Sequence, residues 1–349
     1  MVHIVEVDPS SLEAIAAEPE TSMQSDHARP VPLLAPWLTL QFTIAKPGGE
    51  QFNQPWGISR LSSGCLCIAE RAGPRLVHSL APAHDHMDAS AFNAVDLDST
   101  LFDDFQDILC DLDNTVWIAQ MGSHRVHRVS LAGETLATIG GIGSEELTYP
   151  RALAIQQRRA GASSVPGFGP RLPEELLFVA DSGNGRIMVY DTETLAHVRT
   201  LGVRCDPHSD SFVEGELSLP LGICAHNGEV YVVDGHTHRI SVFRASSGQF
   251  VRCIGERGSD PGQFQTPFAA CVVRGMLLVT EATRVQVLTL DGQPRYVLEI
   301  PGAENLAGLT LGDETGESVC ICDTSRGCVY SVSIEWPDEG DRFAGEMNE

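Results

Sequence analysis

Lysine is almost missing from this chain. Of 23 Lys+Arg in 349 residues only Lys46 is a lysine, and these bases face 47 Asp+Glu for a formal net charge of −24. So acidic a balance argues against a general nucleic-acid binder and a protein held on an anionic membrane, since both need basic patches. It also leaves ammonium chemistry with one residue to work with. No run of 18 apolar residues occurs, so no membrane-spanning helix is written here. The opening residues Met1-Val2-His3-Ile4-Val5-Glu6 lack the basic start and apolar core of a secretory signal, and the expectation is a cytoplasmic chain.

Several chemical signatures are missing too. The ten cysteines contain no Cys-x-x-Cys, only two Cys-x-Cys pairs, which excludes zinc-finger and thioredoxin-like motifs. Most of them (Cys65, Cys67, Cys224, Cys253, Cys271, Cys320, Cys322) sit in apolar strand-like runs, where cysteine behaves as a small buried hydrophobe. There is neither a Gly-x-x-x-x-Gly-Lys phosphate loop nor a Gly-x-Ser-x-Gly nucleophile turn. The Gly/Pro-rich stretch at 161–170 mimics a phosphate loop but no helix follows it.

What the chain does have is 42% hydrophobic residues, enough for a substantial core, and a degenerate internal repeat. Residues 215–255 run from a polar turn and a proline into an apolar strand at 222–225, then a turn at Asn227-Gly228. A second strand ends in Asp234, a hairpin leads to Arg239-Ile240, and a fourth apolar stretch ends at Gly255. The same order recurs at 51–80, 102–140, 147–202, 262–300 and 306–335. Four short strands joined by Gly/Asn/Asp turns make one antiparallel sheet.

The spacing inside the repeat is tight. A polar residue closes the second strand and an arginine opens the third five positions later: Glu70/Arg75, Gln120/Arg125, Asp181/Arg186 and Asp234/Arg239. The fifth copy shortens the hairpin to Glu281/Arg284, and the sixth keeps Asp323 but has Cys328 in the arginine position. A carboxylate so placed can hold the guanidinium through a bidentate hydrogen bond, so these residues read as a structural ladder.

Six such sheets bury their faces only when packed radially, which predicts an all-β, six-bladed propeller of four-stranded antiparallel blades over 33–335. The sixth copy lacks an outer strand and an unassigned strand, 37–44, precedes the first. The expectation is that this N-terminal strand completes the sixth sheet and closes the ring. Residues 1–32, with a short helix at 11–17, and the acidic tail 336–349 are expected to hang loose outside it. The outer strand of the first blade is expected within 89–97.

The pattern resembles the NHL-repeat β-propellers, on the strength of Val179-Ala180-Asp181-Ser182-Gly183-Asn184-Gly185-Arg186-Ile187 and of Gly262-Gln263-Phe264-Gln265-Thr266-Pro267. The resemblance spans about residues 37–335 and speaks for fold, because propellers host unrelated activities. It implies that a site would lie where the inner strands enter the axial channel. The residues following each lead-in are Trp56, Arg151, Leu221 and Phe268, with Gln106 and Ala307 as the counterparts in the second and sixth copies. The NHL-like peptidyl-hydroxyglycine amidating lyases carry metal-binding histidines at such positions, and none stands here. Tripartite-motif relatives use the propeller as the targeting module of a ubiquitin ligase, but this chain has no RING-like Cys/His spacing.

Other candidates reduce to loops. His84-Asp85-His86, with His78 and Asp88, has metal-ligand chemistry but no evident scaffold, and His236 and His238 occupy a hairpin turn. Residues 96–113 place Asp96, Asp98, Thr100 and Asp107 at calcium-loop positions, yet Leu101 stands where the loop needs glycine, so the segment reads as a solvated acidic rim. The functional expectation is a monomeric, non-enzymatic scaffold without metal or cofactor. It would bind a protein or peptide through Trp56, Arg151, Leu221 and Phe268. A metal-dependent lyase or hydrolase in the channel is the first alternative and single-stranded RNA binding the second.

Overall fold

The computed structural model describes residues 3–6, 37–44, 51–80, 92–99, 101–102, 104–140, 147–157, 175–205 and 213–335. The expected helix at 11–17, the His84-Asp85-His86 cluster with Asp88, the Gly/Pro-rich insertion and the acidic tail lie outside them.

Six antiparallel sheets follow one another along the chain, each wound from an inner to an outer strand. Blade 1 consists of Pro55–Arg60, Leu66–Glu70, Arg75–Ser79 and Phe92–Asp96. Blade 2 is Phe105–Cys110, Val116–Gln120, Arg125–Val129 and Thr135–Gly140. Blade 3 is Pro150–Gln157, Glu175–Asp181, Arg186–Asp191 and His197–Leu201. Blade 4 is Pro220–His226, Glu229–Asp234, Arg239–Arg244 and Phe250–Ile254. Blade 5 is Ala270–Val273, Met276–Thr280, Arg284–Thr289 and Pro294–Glu299. Blade 6 is Leu306–Leu311, Ser318–Asp323 and Cys328–Glu335, with Trp37–Ile44 paired antiparallel to the last, Ile44 opposite Val329 and Trp37 opposite Glu335.

The sequence of the second strands explains the radial packing. Leu66–Glu70, Val116–Gln120 and Met276–Thr280 are buried at every position, as a strand covered on both faces must be. The apolar core accordingly splits into six clusters, one in each crevice between neighbouring blades. The cluster joining blades 6 and 1 sets Cys320, Cys322 and Val329 against Ile58, Leu66 and Ile68. Inner strands of adjacent blades run so close that two glycines are obligatory. A Cβ on Gly308 would lie 2.4 Å from the Trp56 carbonyl oxygen, and one on Gly222 would lie 2.4 Å from that of Phe268.

Two features depart from the sequence expectation. Four residues of the N-terminal segment, His3–Glu6, add a fifth strand to blade 5, paired antiparallel with Pro294–Glu299 and with Ile4 opposite Leu298. Between blades 3 and 4, where the repeat copies at 147–202 and 215–255 leave 203–214 unassigned, Val203–Arg204 pairs parallel with Glu216–Leu217.

Candidate functional site: the mouth of the axial channel

The inner strands converge on a cavity of about 330 Å³ along the axis, to which all six blades contribute. Trp56, Gln106, Arg151, Leu221, Phe268 and Ala307 all line it, at the same register position of their blades. The structure therefore gathers onto one channel wall the residues that the repeat spacing had set in register.

The recurring carboxylates fix that register, and not only by holding arginines. Glu70, Asp181, Asp234, Glu281 and Asp323 are buried at the ends of the second strands. Each accepts a backbone N–H from its own blade's lead-in: Asn53 at 2.8 Å, Thr148 at 2.5 Å, Ser218 at 2.6 Å, Gln265 at 2.7 Å and Glu304 at 2.9 Å. In every case the stapled residue stands three positions before the channel residue. The expected carboxylate–guanidinium contact is present in blades 3 and 5, where Arg186 Nε lies 2.7 Å from Asp181 and Arg284 Nε 2.6 Å from Glu281. In blade 4 the carboxylate takes several backbone donors. Asp234 is occupied by the N–H groups of Ser218, Leu219, His236 and Thr237, and Arg239 donates to the Glu216 carbonyl at 3.4 Å. Arg75 of blade 1 bonds Asp96 at 2.6 Å. Blade 2 has the neutral Gln120 as its strand closer, whose amide donates to the Leu101 carbonyl, and there Arg125 opens the next strand with an exposed side chain.

Blades 1 to 3 make the mouth polar. Arg71 follows the strand-closing Glu70, and its guanidinium carbon lies 4.8 Å from the Trp56 ring centroid, within cation–π range. Arg71 Nε also bonds the Asp104 carboxylate, which accepts the Gln106 amide at 3.0 Å as well. Arg151 has no such partner: its Nε is buried without an acceptor among the described residues. Burial and the like charge of Arg71 hold its pKa below the ordinary guanidinium value, and Asp104 only partly compensates. The backbone is strained at the same three blades. Gln54, Asp104 and Tyr149, each two residues before a channel residue, all take positive φ (54°, 45° and 53°). Blades 4 to 6 present Leu221, Phe268 and Ala307, an apolar arc.

Asp107 sits one step deeper. Its equivalents are Gly57, Ala152, Gly222, Ala269 and Gly308, so it is the one charged residue at that position of the repeat. Its two carboxylate oxygens accept N–H from Ile108 and from Leu153 of blade 3, both at 2.9 Å. Enclosure by protein pushes its pKa from 3.8 up to about 7, against those two hydrogen bonds. The solvated acidic rim expected over 96–113 holds for the exposed Asp96, Asp98 and Asp113 and fails for Asp107 and Asp111. Asp96 bonds Arg75, Asp104 bonds Arg71, Asp111 bonds Arg128 at 2.6 Å, and Asp107 faces the channel.

The channel thiols do not make nucleophiles. Cys224 and Cys271 line the cavity, and burial pushes Cys271 up to about 12 and Cys224 well above its usual value. His236 is exposed and meets Ser218 Oγ at 2.7 Å, and His238 meets the Gln265 carbonyl. Among the described residues no three His, Cys, Asp or Glu side chains come together as a metal would require.

Sequence reasoning missed Arg71, Asp104 and Asp107. A signal existed for two of them. Arg71 is the one charged residue after a strand closer, where the other blades have Met121, Ser182, Gly235, Ala282 and Thr324, and Asp107 stands alone in its column.

Six sheets of this kind around an axial channel define a six-bladed β-propeller. The NHL-repeat model matches residues 217–243, within blade 4, so the chain is a six-bladed propeller that carries an NHL repeat. No curated protein sequence matches it. Similar solved structures include XC5397, a gluconolactonase from Xanthomonas campestris, at 14% identity and TM-score 0.59, covering 87% of this chain and 91% of that one. A virginiamycin B lyase from Staphylococcus aureus aligns at 14% identity and TM-score 0.56, covering 85% and 99%. A chain of a nidogen/laminin complex aligns at 14% identity and TM-score 0.53, covering 74% and 85%. At these identities the likeness is one of fold.

Proposed function

We propose that the protein is a recognition module, acting as a cytoplasmic monomer, that binds a peptide or a protein segment at the channel mouth. The observation that carries this reading is the mouth itself. Aromatic, aliphatic and arginine side chains (Trp56, Phe268, Leu221 and Arg151) meet at one register on a rigid ring, and Trp and Arg are among the residue types enriched at binding hot spots. A propeller of similar fold in a nidogen/laminin complex supports the use of this architecture for protein contacts. The test is selection from a displayed peptide library on the purified protein, repeated on Trp56→Ala and Arg151→Glu. The reading expects peptides that bind the parent and are lost from both variants at unchanged melting temperature. Peptides retained by both would place recognition elsewhere.

Asp107 favours one second reading, a lyase or hydrolase working in the channel, because a carboxylate titrating near 7 suits a general base. The gluconolactonase and lyase folds support it at the level of architecture. Turnover of a lactone panel and an amide panel that disappears in Asp107→Asn would put this reading first.

A further inference from the structure

The channel mouth divides into two arcs of opposite chemistry, and the division points to a ligand class. On the side of blades 1 to 3 stand Arg71, Asp104 and Arg151. On the side of blades 4 to 6 stand Leu221, Phe268 and Ala307.

The charges on the polar arc do not balance. Arg71 and Asp104 form a one-to-one pair, and Gln106 takes a further lone pair of the same carboxylate oxygen. Arg151 is left over, half-buried on the cavity wall with its Nε enclosed and no acceptor among the described residues. A guanidinium does not shed its proton at physiological pH, so a desolvated one needs an anion to offset the lost hydration. With Asp107 holding its proton, the surplus is a single positive charge, which suits a monoanion. A phosphate dianion would leave charge unmatched.

Shape restricts the ligand further. A cavity of about 330 Å³ is at the small end of ligand sites, which span roughly 300–1,000 Å³, and takes a chain end or a small molecule. The apolar arc that begins on the neighbouring blade 4 would cover a hydrophobic body attached to the charged group. Strain marks the same place: of the six positions two residues before a channel residue, only Gln54, Asp104 and Tyr149 of blades 1 to 3 take positive φ. Non-glycine residues in that region cost on the order of 1 kcal/mol or more and gather at binding and catalytic sites.

We propose that Arg151 anchors a carboxylate borne on an apolar body, with Leu221 and Phe268 covering that body. This rests on the recognition reading above and names its ligand as the C-terminal residue of a peptide. A free apolar carboxylic acid presents the same chemistry. The fork of Arg151 would take the two carboxylate oxygens, while Arg71 holds Asp104 away from the incoming anion.

The experiment compares three probes by titration calorimetry: N-acetyl-Ala-Leu-Phe with a free carboxylate, the same peptide as its C-terminal amide, and 3-phenylpropanoate. The free-acid peptide should bind about ten-fold or more tightly than its amide, as expected for a charge-assisted hydrogen bond. Arg151→Gln should bring the acid down to the level of the amide without changing the amide, and Arg151→Lys should fall between. Melting temperature and circular dichroism establish that each variant is folded. Acid and amide binding equally, Arg151→Gln weakening both alike, or neither acid probe binding would each overturn the carboxylate anchor. If peptides bind the mouth with no preference for the acid, the anchor fails and the recognition reading stands. If 3-phenylpropanoate binds through Arg151 while the peptide acid does not, the anchor stands and peptide recognition fails.

Discussion

The carboxylate of Asp181 accepts the backbone N–H of Thr148 at 2.5 Å, and Arg151 follows Thr148 by three residues. The same distance in sequence separates each stapled lead-in residue from its channel residue in blades 1, 4, 5 and 6. The most regular feature of the repeat is therefore what aims side chains into the channel. It explains how a fold can vary the chemistry of its mouth freely, from Trp56 to Ala307, while keeping the geometry.

Replacing Asp181 by alanine should destabilise the protein by about 2–3 kcal/mol, because it orphans the Thr148 N–H, the Asn184 amide and the Arg186 guanidinium together. Arg186 keeps 29% of its side chain in contact with solvent, which holds the loss below that of a fully buried pair. Asp181→Asn should lose less, since one oxygen remains. Urea unfolding of the three proteins checks the order.

Gly308→Ala should cost about 1–3 kcal/mol through contact with the Trp56 carbonyl 2.4 Å from the new Cβ. Both partners are backbone, so no side chain can swing aside. Gly228→Ala is the control. Its Cβ meets nothing within 4 Å, but its φ of +82° leaves a backbone cost of roughly 1 kcal/mol. Equal losses in the two variants would show that blades 6 and 1 have slack between their inner strands.

Asp107 should make the protein less stable as the medium turns from acid to neutral. Its folded pKa of about 7 stands above the unfolded 3.8, so the folded state holds its proton longer, and stability falls as pH rises from about 4 to about 7. His127 acts in the opposite direction. Burial lowers it from 6.5 to about 4, so its contribution is complete above about 6.5 and is lost as pH falls towards 4. Asp107→Asn should therefore gain stability relative to the parent at pH 7.5 compared with pH 4.5, and its own acid sensitivity should steepen. Urea midpoints at the two pH values measure the difference, and a pH-independent offset would contradict the burial of the Asp107 charge.

Thiol labelling should follow exposure. All ten cysteines are free, Cys253 is exposed, and Cys67, Cys205, Cys320, Cys322 and Cys328 are buried. Ellman's reagent on the native protein should modify Cys253 first, with the five buried thiols reacting only after unfolding. Channel residues Cys224 and Cys271 should stay slow even at pH 8, because their thiolates are suppressed by burial. Rapid labelling of Cys271 would indicate a channel wetter than this one.

Blade boundaries were legible because they rest on local signals. A strand that must be buried on both faces is apolar throughout, and the turns between strands need Gly, Asn or Asp. The outer strand of blade 1, expected within 89–97, is Phe92–Asp96. The mouth residues were legible for a related reason: a constant number of residues from lead-in to inner strand preserves register, whatever the side chain. Arg71 and Asp104 escaped notice because each looks like an ordinary loop residue until their separate loops are brought together, 33 positions apart in sequence.

The chain's own order of residues thus determined the blade count, the strand order and which side chains reach the channel, since each follows from spacing within a repeat of some forty residues. Tertiary structure alone decided which charges are matched. Asp107 became a channel carboxylate instead of a solvated one because blade 3 offers it the Leu153 N–H and encloses it. Arg151 Nε is left without an acceptor among the described residues, and Asp104, the carboxylate near it, is bonded to Arg71. Pairing of this sort depends on distances between blades and on the dielectric of the crevice they form, and neither is written in the periodicity of any one strand.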